Sequence, residues 1–161
     1  VLKNLPILFI CENNLYSVYS PLNVRQPKKR KIHEMVKAFG IDTNNGDGNN
    51  VSEVYRITNK AVEKIKSGGG PQFIEFSTYR WLEHCGPNYD NDIGYRTENE
   101  FTEWKKNDPL QHCEKKLLNL SENEMKRSRE KIQVEINKAF HLAKESPFPE
   151  PEQAYTGLFD D

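Results

Sequence analysis

The run Leu5-Pro6-Ile7-Leu8-Phe9-Ile10-Cys11, closed by Glu12-Asn13-Asn14, constrains the fold more than any other stretch. An unbroken apolar run of this length reads as a strand buried on both faces, of the kind found in a parallel sheet covered by helices. Such sheets place their ligand sites at the carboxyl ends of the strands. Glu12, Asn13 and Asn14 sit at that end. A side-chain amide oxygen is a hard, neutral ligand that suits magnesium, and magnesium often bridges to phosphate oxygens. Asparagine also tolerates the left-handed region and bonds its own backbone, so a pair that only shapes a turn is the competing reading.

The rest of the chain supports a layered arrangement. Lys31 to Phe39 reads as a short helix stopped by Gly40. Gly40-Ile41-Asp42 starts a short strand before a polar stretch from Thr43 to Asn50. Asn50 with Glu53 forms a capping box for a helix whose apolar face is Val54, Ile57, Ala61 and Ile65. Gly68-Gly69-Gly70-Pro71 ends it, and Phe73 to Thr78 reads as a second buried strand. This order predicts an α/β three-layer sandwich with a mainly parallel sheet. Arg80 to Tyr95 has no periodicity and forms a long loop after a strand end, where function concentrates. Further helices start at Thr97 with Glu100, at Asp108-Pro109, and at Ser121 with Glu124. The last runs from about Glu122 to Glu145 and is broken by Pro147. Residues 1–96 therefore form the α/β part with its loop at 80–95, and residues 97–161 a helical extension and tail. Tyr155, Leu158 and Phe159 in that tail are expected to dock on this domain or a partner.

With 161 residues the chain has material for one core. A net charge of −1 argues against a general nucleic-acid binder. The basic run Lys28-Lys29-Arg30-Lys31 reads as a solvated face, with a phosphate or partner contact as the alternative. Cys11, Cys85 and Cys113 form no CxxC pair and have no zinc spacing with the histidines, which fits reduced thiols in the cytoplasm. No membrane span or signal peptide is visible. The chain opens at Val1, a few residues before a strand, as a piece of something longer would.

Gly46-Asp47-Gly48 reads as a turn, with Asn49 and Asn50 belonging to the next helix cap. Gly68 to Gly70 precedes a strand and lacks the Lys and Ser/Thr of a phosphate loop. His84 and Cys85 are adjacent, so their side chains diverge and do not form a nucleophilic pair. His84 alone, on a loop at a strand's carboxyl end, suits donation to a phosphate or a proton shuttle, and equally a structural role. His33, His112 and His141 fall on helices as surface or packing residues. Asp90 and Asp92 order the loop.

Phe9-Ile10-Cys11-Glu12-Asn13-Asn14-Leu15-Tyr16 resembles the α subunit of thiamine-diphosphate-dependent 2-oxoacid dehydrogenases, the E1 component of the pyruvate, branched-chain and acetoin types. The likeness continues through Asp47-Gly48-Asn49-Asn50-Val51 and Gly70-Pro71-Gln72-Phe73-Ile74-Glu75. It is strongest at Thr78-Tyr79-Arg80-Trp81, His84 and Tyr95-Arg96-Thr97. It runs on through Glu103-Trp104-Lys105, Asp108-Pro109-Leu110, Ser146-Pro147 and Pro149. It covers nearly the whole chain, in order.

The resemblance implies a thiamine-diphosphate-binding fold, here incomplete. The family's cofactor motif opens with Gly-Asp-Gly and closes with Asn-Asn, and this chain holds only the closing half. Asn14 is then a magnesium ligand through its side chain and Tyr16 through its backbone carbonyl, so both are cofactor-binding residues. His84 matches the active-site histidine near the diphosphate, and residues 85–94 match the flexible loop at the active-site entrance. The implied activity is decarboxylation of a 2-oxo acid, with transfer of the acyl group to an acceptor such as lipoyl. The implied partners are an E1 β subunit, which supplies the activating glutamate, and a lipoyl-bearing acyltransferase. The implied assembly is a dimer or heterotetramer, with no nucleic acid and no membrane. Leu82 and Glu83 replace the His or Arg and the Gly that often precede the active-site histidine. Cys85 replaces the serine that animal pyruvate enzymes phosphorylate. A different thiamine-dependent lyase or ligase, and a non-catalytic fragment, are the alternative readings.

Overall fold

The computed structural model describes residues 1–117 and 121–157. The chain divides into two compact units, Val1–Lys116 and Leu117–Asp161. The first unit holds a three-stranded parallel sheet. Its strands are β1 (Leu8–Asn13), β4 (Asp42–Asp47) and β5 (Gln72–Ser77), in the order β1-β5-β4. Between β1 and β4 lie a small hairpin, β2 (Tyr16–Ser17) with β3 (Ser20–Pro21), and helices α1 (Leu22–Arg25) and α2 (Ile32–Lys37). Helix α3 (Val51–Lys66) joins β4 to β5. The α/β architecture expected from the strand–helix order is present, with helices following the sheet.

Register fixes the site. Asn13 of β1 and Asp47 of β4 both lie beside Ser77, the last residue of β5. All three strands therefore end together, and the segments leaving them share one edge. Alternation along β5 sends Ile74 and Phe76 to one face, where they form the core with Ile57 and Ala61 of α3. Ile74 is fully buried.

Two details differ from the sequence-based expectation. The apolar run does form β1, but it is not buried on both faces: Phe9 is 45% and Ile10 52% exposed. Within this chain β1 is an edge strand, and a parallel strand is buried only where helices cover both of its faces. The second difference is β4. Residues 43–47, expected as a polar stretch, pair with β5, so the tripeptide Gly46-Asp47-Gly48 is not a free turn. Gly48 lies flush against the end of β5, its N–H donating to the Ser77 carbonyl at 2.8 Å. A Cβ on Gly48 would come within 2.9 Å of that oxygen. The glycine is there for close approach of two backbones.

The predicted caps are largely present. The Asn50 side chain accepts from the Glu53 N–H at 3.4 Å. The reciprocal half of that box is replaced, because Glu53 Oε1 accepts from the Asp47 N–H instead. Thr97 caps α4 (Glu98–Lys105), and the Asp108 carboxylate accepts from the Leu110 and Gln111 N–H groups at the start of α5 (Pro109–Lys116). In the second unit a full capping box of Ser121 and Glu124 opens α6 (Glu122–Glu145), whose residues Ile132, Ile136 and Phe140 are exposed. Tyr155 lies in a short 3₁₀ turn, Pro151–Tyr155, and is exposed. Leu158 and Phe159, expected to dock with it, lie outside the described residues. Among the described residues no helix is long and apolar enough to cross a membrane.

Candidate functional site

The segment leaving β1 makes two consecutive side-chain turns. Asn13 Oδ1 accepts from the Leu15 N–H at 3.2 Å, and Asn14 Oδ1 accepts from the Tyr16 N–H at 3.0 Å. Leu15 between them has φ 70°, a left-handed conformation that costs a leucine about 1–2 kcal/mol. Asparagines are suited to hold such a turn, since their short amides bond two residues ahead. The pair therefore shapes the turn at the end of β1.

The hairpin that follows orients the Tyr16 carbonyl. The Leu22 N–H donates to the Leu15 carbonyl at 2.7 Å. Bonded and non-bonded positions alternate in an antiparallel ladder. Tyr16, opposite Pro21, thus falls at a non-bonded position, and proline has no N–H to donate. The N–H and C=O of one extended residue point to the same side. The Tyr16 carbonyl therefore leaves the ladder on the side where its N–H meets Asn14 Oδ1.

The loop expected to carry chemistry is tied to this turn at its root. Arg80 donates through Nη2 to the Val18 carbonyl at 3.1 Å and to the Tyr95 hydroxyl at 2.9 Å. The Tyr95 ring meets the rings of Tyr16 and Tyr19 at 5.3 and 5.1 Å. Tyr95 Oη donates to Asp90 Oδ2 at 2.8 Å, and Asp90 pairs with buried Arg96 at 2.5 Å. Asp90 orders the loop, as expected, while Asp92 is exposed. His84 lies on the exposed part of the loop. Glu83 brackets it by accepting from the Asn88 backbone and side chain, closing a small ring over residues 83–88.

The Tyr16 hydroxyl donates to Glu100 at 2.7 Å. Burial and that carboxylate push its pKa well above the ordinary tyrosine value. A hollow of about 440 Å³ beside Tyr16 is lined in part by Leu22, Lys28 and Arg30, so part of the basic run borders a cavity.

One group at the site escaped sequence reasoning. Glu75, in the middle of β5, is 7% exposed. It accepts from the His33 N–H at 2.9 Å, meets His33 Nδ1 at 2.6 Å, and accepts from Asn13 Nδ2 at 2.7 Å. Burial alone would raise its pKa, but the His33 and Asn13 donors outweigh burial and hold it below the ordinary value. The signal was a lone acid among Phe73, Ile74 and Phe76, since a carboxylate in a buried strand requires partners.

Residues 1–152 match the family described as Dehydrogenase E1 component. The chain belongs to that family. It is 33% identical over 153 residues to the 2-oxoisovalerate dehydrogenase subunit alpha of Bacillus subtilis (strain 168), covering 93% of this chain and 46% of the relative. It is 30% identical over 164 residues to the pyruvate dehydrogenase E1 component subunit alpha of Porphyra purpurea, covering 100% and 46%. It is 31% identical over 160 residues to the corresponding subunit of Zymomonas mobilis, covering 98% and 44%. The chain thus spans about half the length of the curated relatives it matches.

For an E1 chain the oxygens at the sheet edge fit a magnesium–diphosphate group in part. Asn14 Oδ1 accepts one hydrogen bond and retains a second lone pair. With the Tyr16 carbonyl it offers two hard oxygens on one side of the turn. Among the described residues no cluster of three His, Cys, Asp or Glu could hold a metal, so the oxygens at this turn stand without such a cluster beside them.

Proposed function

We propose that this chain is the part of an E1 α subunit that closes the thiamine diphosphate site. The observation that carries this is the double asparagine turn at the common carboxyl edge of β1, β5 and β4, within a chain of the E1 family. Asn14 Oδ1 and the Tyr16 carbonyl would hold magnesium, which would supply positive charge for the diphosphate. The resemblance assigns a carboxylate ligand to the motif's opening Gly-Asp-Gly half, and the residues here match its closing half. When bound, thiamine diphosphate supplies the nucleophilic carbon for decarboxylation of a 2-oxo acid. His84 would be the catalytic imidazole, donating to the diphosphate or moving a proton. Its support is its place on a loop whose root is bonded to the Tyr16 hairpin. Glu83 is engaged with Asn88 and so closes the loop over residues 83–88.

The partners are an E1 β subunit, which supplies the activating glutamate, and a lipoyl-bearing acyltransferase that takes the acyl group, in a dimer or heterotetramer. Three cysteines without a disulfide support a reducing compartment, the cytoplasm. Titration calorimetry tests the reading. The full-length α chain with its β partner receives thiamine diphosphate and magnesium, as wild type and as Asn14→Ala. Tight binding lost in the variant is expected. Equal binding in both would overturn the ligand role, and no binding in either would overturn the catalytic reading.

A further inference from the structure

We propose that Glu75 is a positioning residue for the Asn13–Tyr16 turn, acting through the Asn13 amide; this rests on the magnesium role of Asn14 given above. Ile74 and Phe76 face α3, so alternation along β5 sends Glu75 to the opposite face of the sheet. A buried carboxylate there carries a large desolvation cost unless donors surround it. Three do: the His33 N–H, His33 Nδ1, and Asn13 Nδ2.

The third donor has a consequence at the site. An amide has a donor end and an acceptor end. Because Glu75 takes the Nδ2 end of Asn13, the Oδ1 end is directed to the Leu15 N–H. That bond fixes the N–H of Leu15, the residue at φ 70°, and the next bond, Asn14 Oδ1 to the Tyr16 N–H, spans Leu15 and completes the turn. Glu75 thus decides which way Asn13 faces, and Asn13 holds the strained residue between the two ligating positions. His33 anchors the other carboxylate oxygen and keeps Glu75 from rotating away. Groups that touch metal ligands without touching the metal commonly set affinity in this way.

The test compares the full-length α chain, assembled with its β subunit, as wild type, Asn14→Ala, Glu75→Gln, Asn13→Ala and the double variant Glu75→Gln/Asn13→Ala. Magnesium with thiamine diphosphate is titrated calorimetrically, and folding is followed by circular dichroism. Glu75→Gln keeps the shape but puts a donor where His33 or Asn13 also donates. A loss of affinity of about ten- to a hundredfold is expected for Glu75→Gln and for Asn13→Ala. The double variant is expected to be no weaker than the weaker single, because both break one chain of bonds. If Asn14→Ala loses binding while folded Glu75→Gln and Asn13→Ala bind as wild type, the positioning role is overturned and the ligand role stands. Additive losses in the double variant would also overturn it, since Glu75 would then act by another route. If Glu75→Gln does not fold, Asn13→Ala, at a half-buried position, decides alone. If Asn14→Ala binds as wild type, the ligand reading fails, and the positioning proposal fails with it.

Discussion

Replacing Asp90 by alanine should unfold the loop that carries His84 before it disturbs anything else. Asp90 and Arg96 are each 4% exposed, and their side chains pair at 2.5 Å. Two further guanidinium donors go to the Arg80 and Trp81 carbonyls, while Nε has no hydrogen-bond partner among the described residues. Carbonyl dipoles and the Tyr79 ring, 5.1 Å from the guanidinium carbon, do not neutralise the cation. Removing the carboxylate leaves a buried charge uncompensated, at about 3–5 kcal/mol. Tyr95 also loses its acceptor, which adds about 1 kcal/mol. A total near 4–6 kcal/mol is a large share of the roughly 5–15 kcal/mol that holds a domain together. Asp90→Asn keeps the volume and one acceptor and should cost roughly 2–3 kcal/mol. Urea unfolding followed by tryptophan fluorescence measures this, because Trp81 and Trp104 both pack on Tyr79 beside Arg96. The double variant Asp90→Ala/Arg96→Met should recover much of the loss, since the stranded cation is gone. A loss below about 1 kcal/mol for Asp90→Ala, or no recovery in the double variant, would refute the reasoning.

Other outcomes follow from the same geometry. Ile74→Ala empties the centre of the core and should cost about 2–5 kcal/mol in the same denaturation assay. Leu15→Gly relieves the left-handed strain while loosening the unfolded chain, so stability should rise by up to about 1 kcal/mol; a fall would mean the leucine side chain contributes more than its backbone costs. Ser121→Ala removes the capping box of α6 and should lower stability by about 1 kcal/mol, read as fraying by hydrogen exchange at the first turn. The Glu75 carboxyl titrates below its ordinary 4.5 in the folded state. Its contribution is therefore complete above that value and lost as pH falls through the lower folded value. Glu75→Gln should flatten the acid side of a stability–pH curve, and an unchanged curve would show the group to be unimportant there.

Local chemistry was legible because it depends on neighbours in sequence. Thr97, Asp108 and Ser121 each announced a helix start, and the structure shows each capping the N–H groups two or three residues on. The run before Glu12 announced β1, and Asn13 with Asn14 announced a turn at a strand's end. Side-chain turns reach only two residues, so no tertiary knowledge was needed. Gly40-Ile41-Asp42 announced the start of β4, but its polar residues hid how far the strand runs, because its continuation to Asp47 rests on pairing with β5 and not on a hydrophobic pattern. The exposure of β1 was equally hidden, since burial depends on what covers a face.

By itself, then, the sequence determined the family, the order of the sheet strands and the longer helices, and the residue types at the sheet edge, but not the small hairpin and short helix between Tyr16 and Arg25. Tertiary structure alone decided that β5 lies centrally between β1 and β4, and so brought Asn13, Asp47 and Ser77 to one edge. It alone joined His33 to Glu75 across 42 residues and Glu75 to Asn13 across 62. Such pairings follow from the need of a buried carboxylate for donors. Which donors answer that need depends on the packing of elements far apart in the chain, and no local pattern records it.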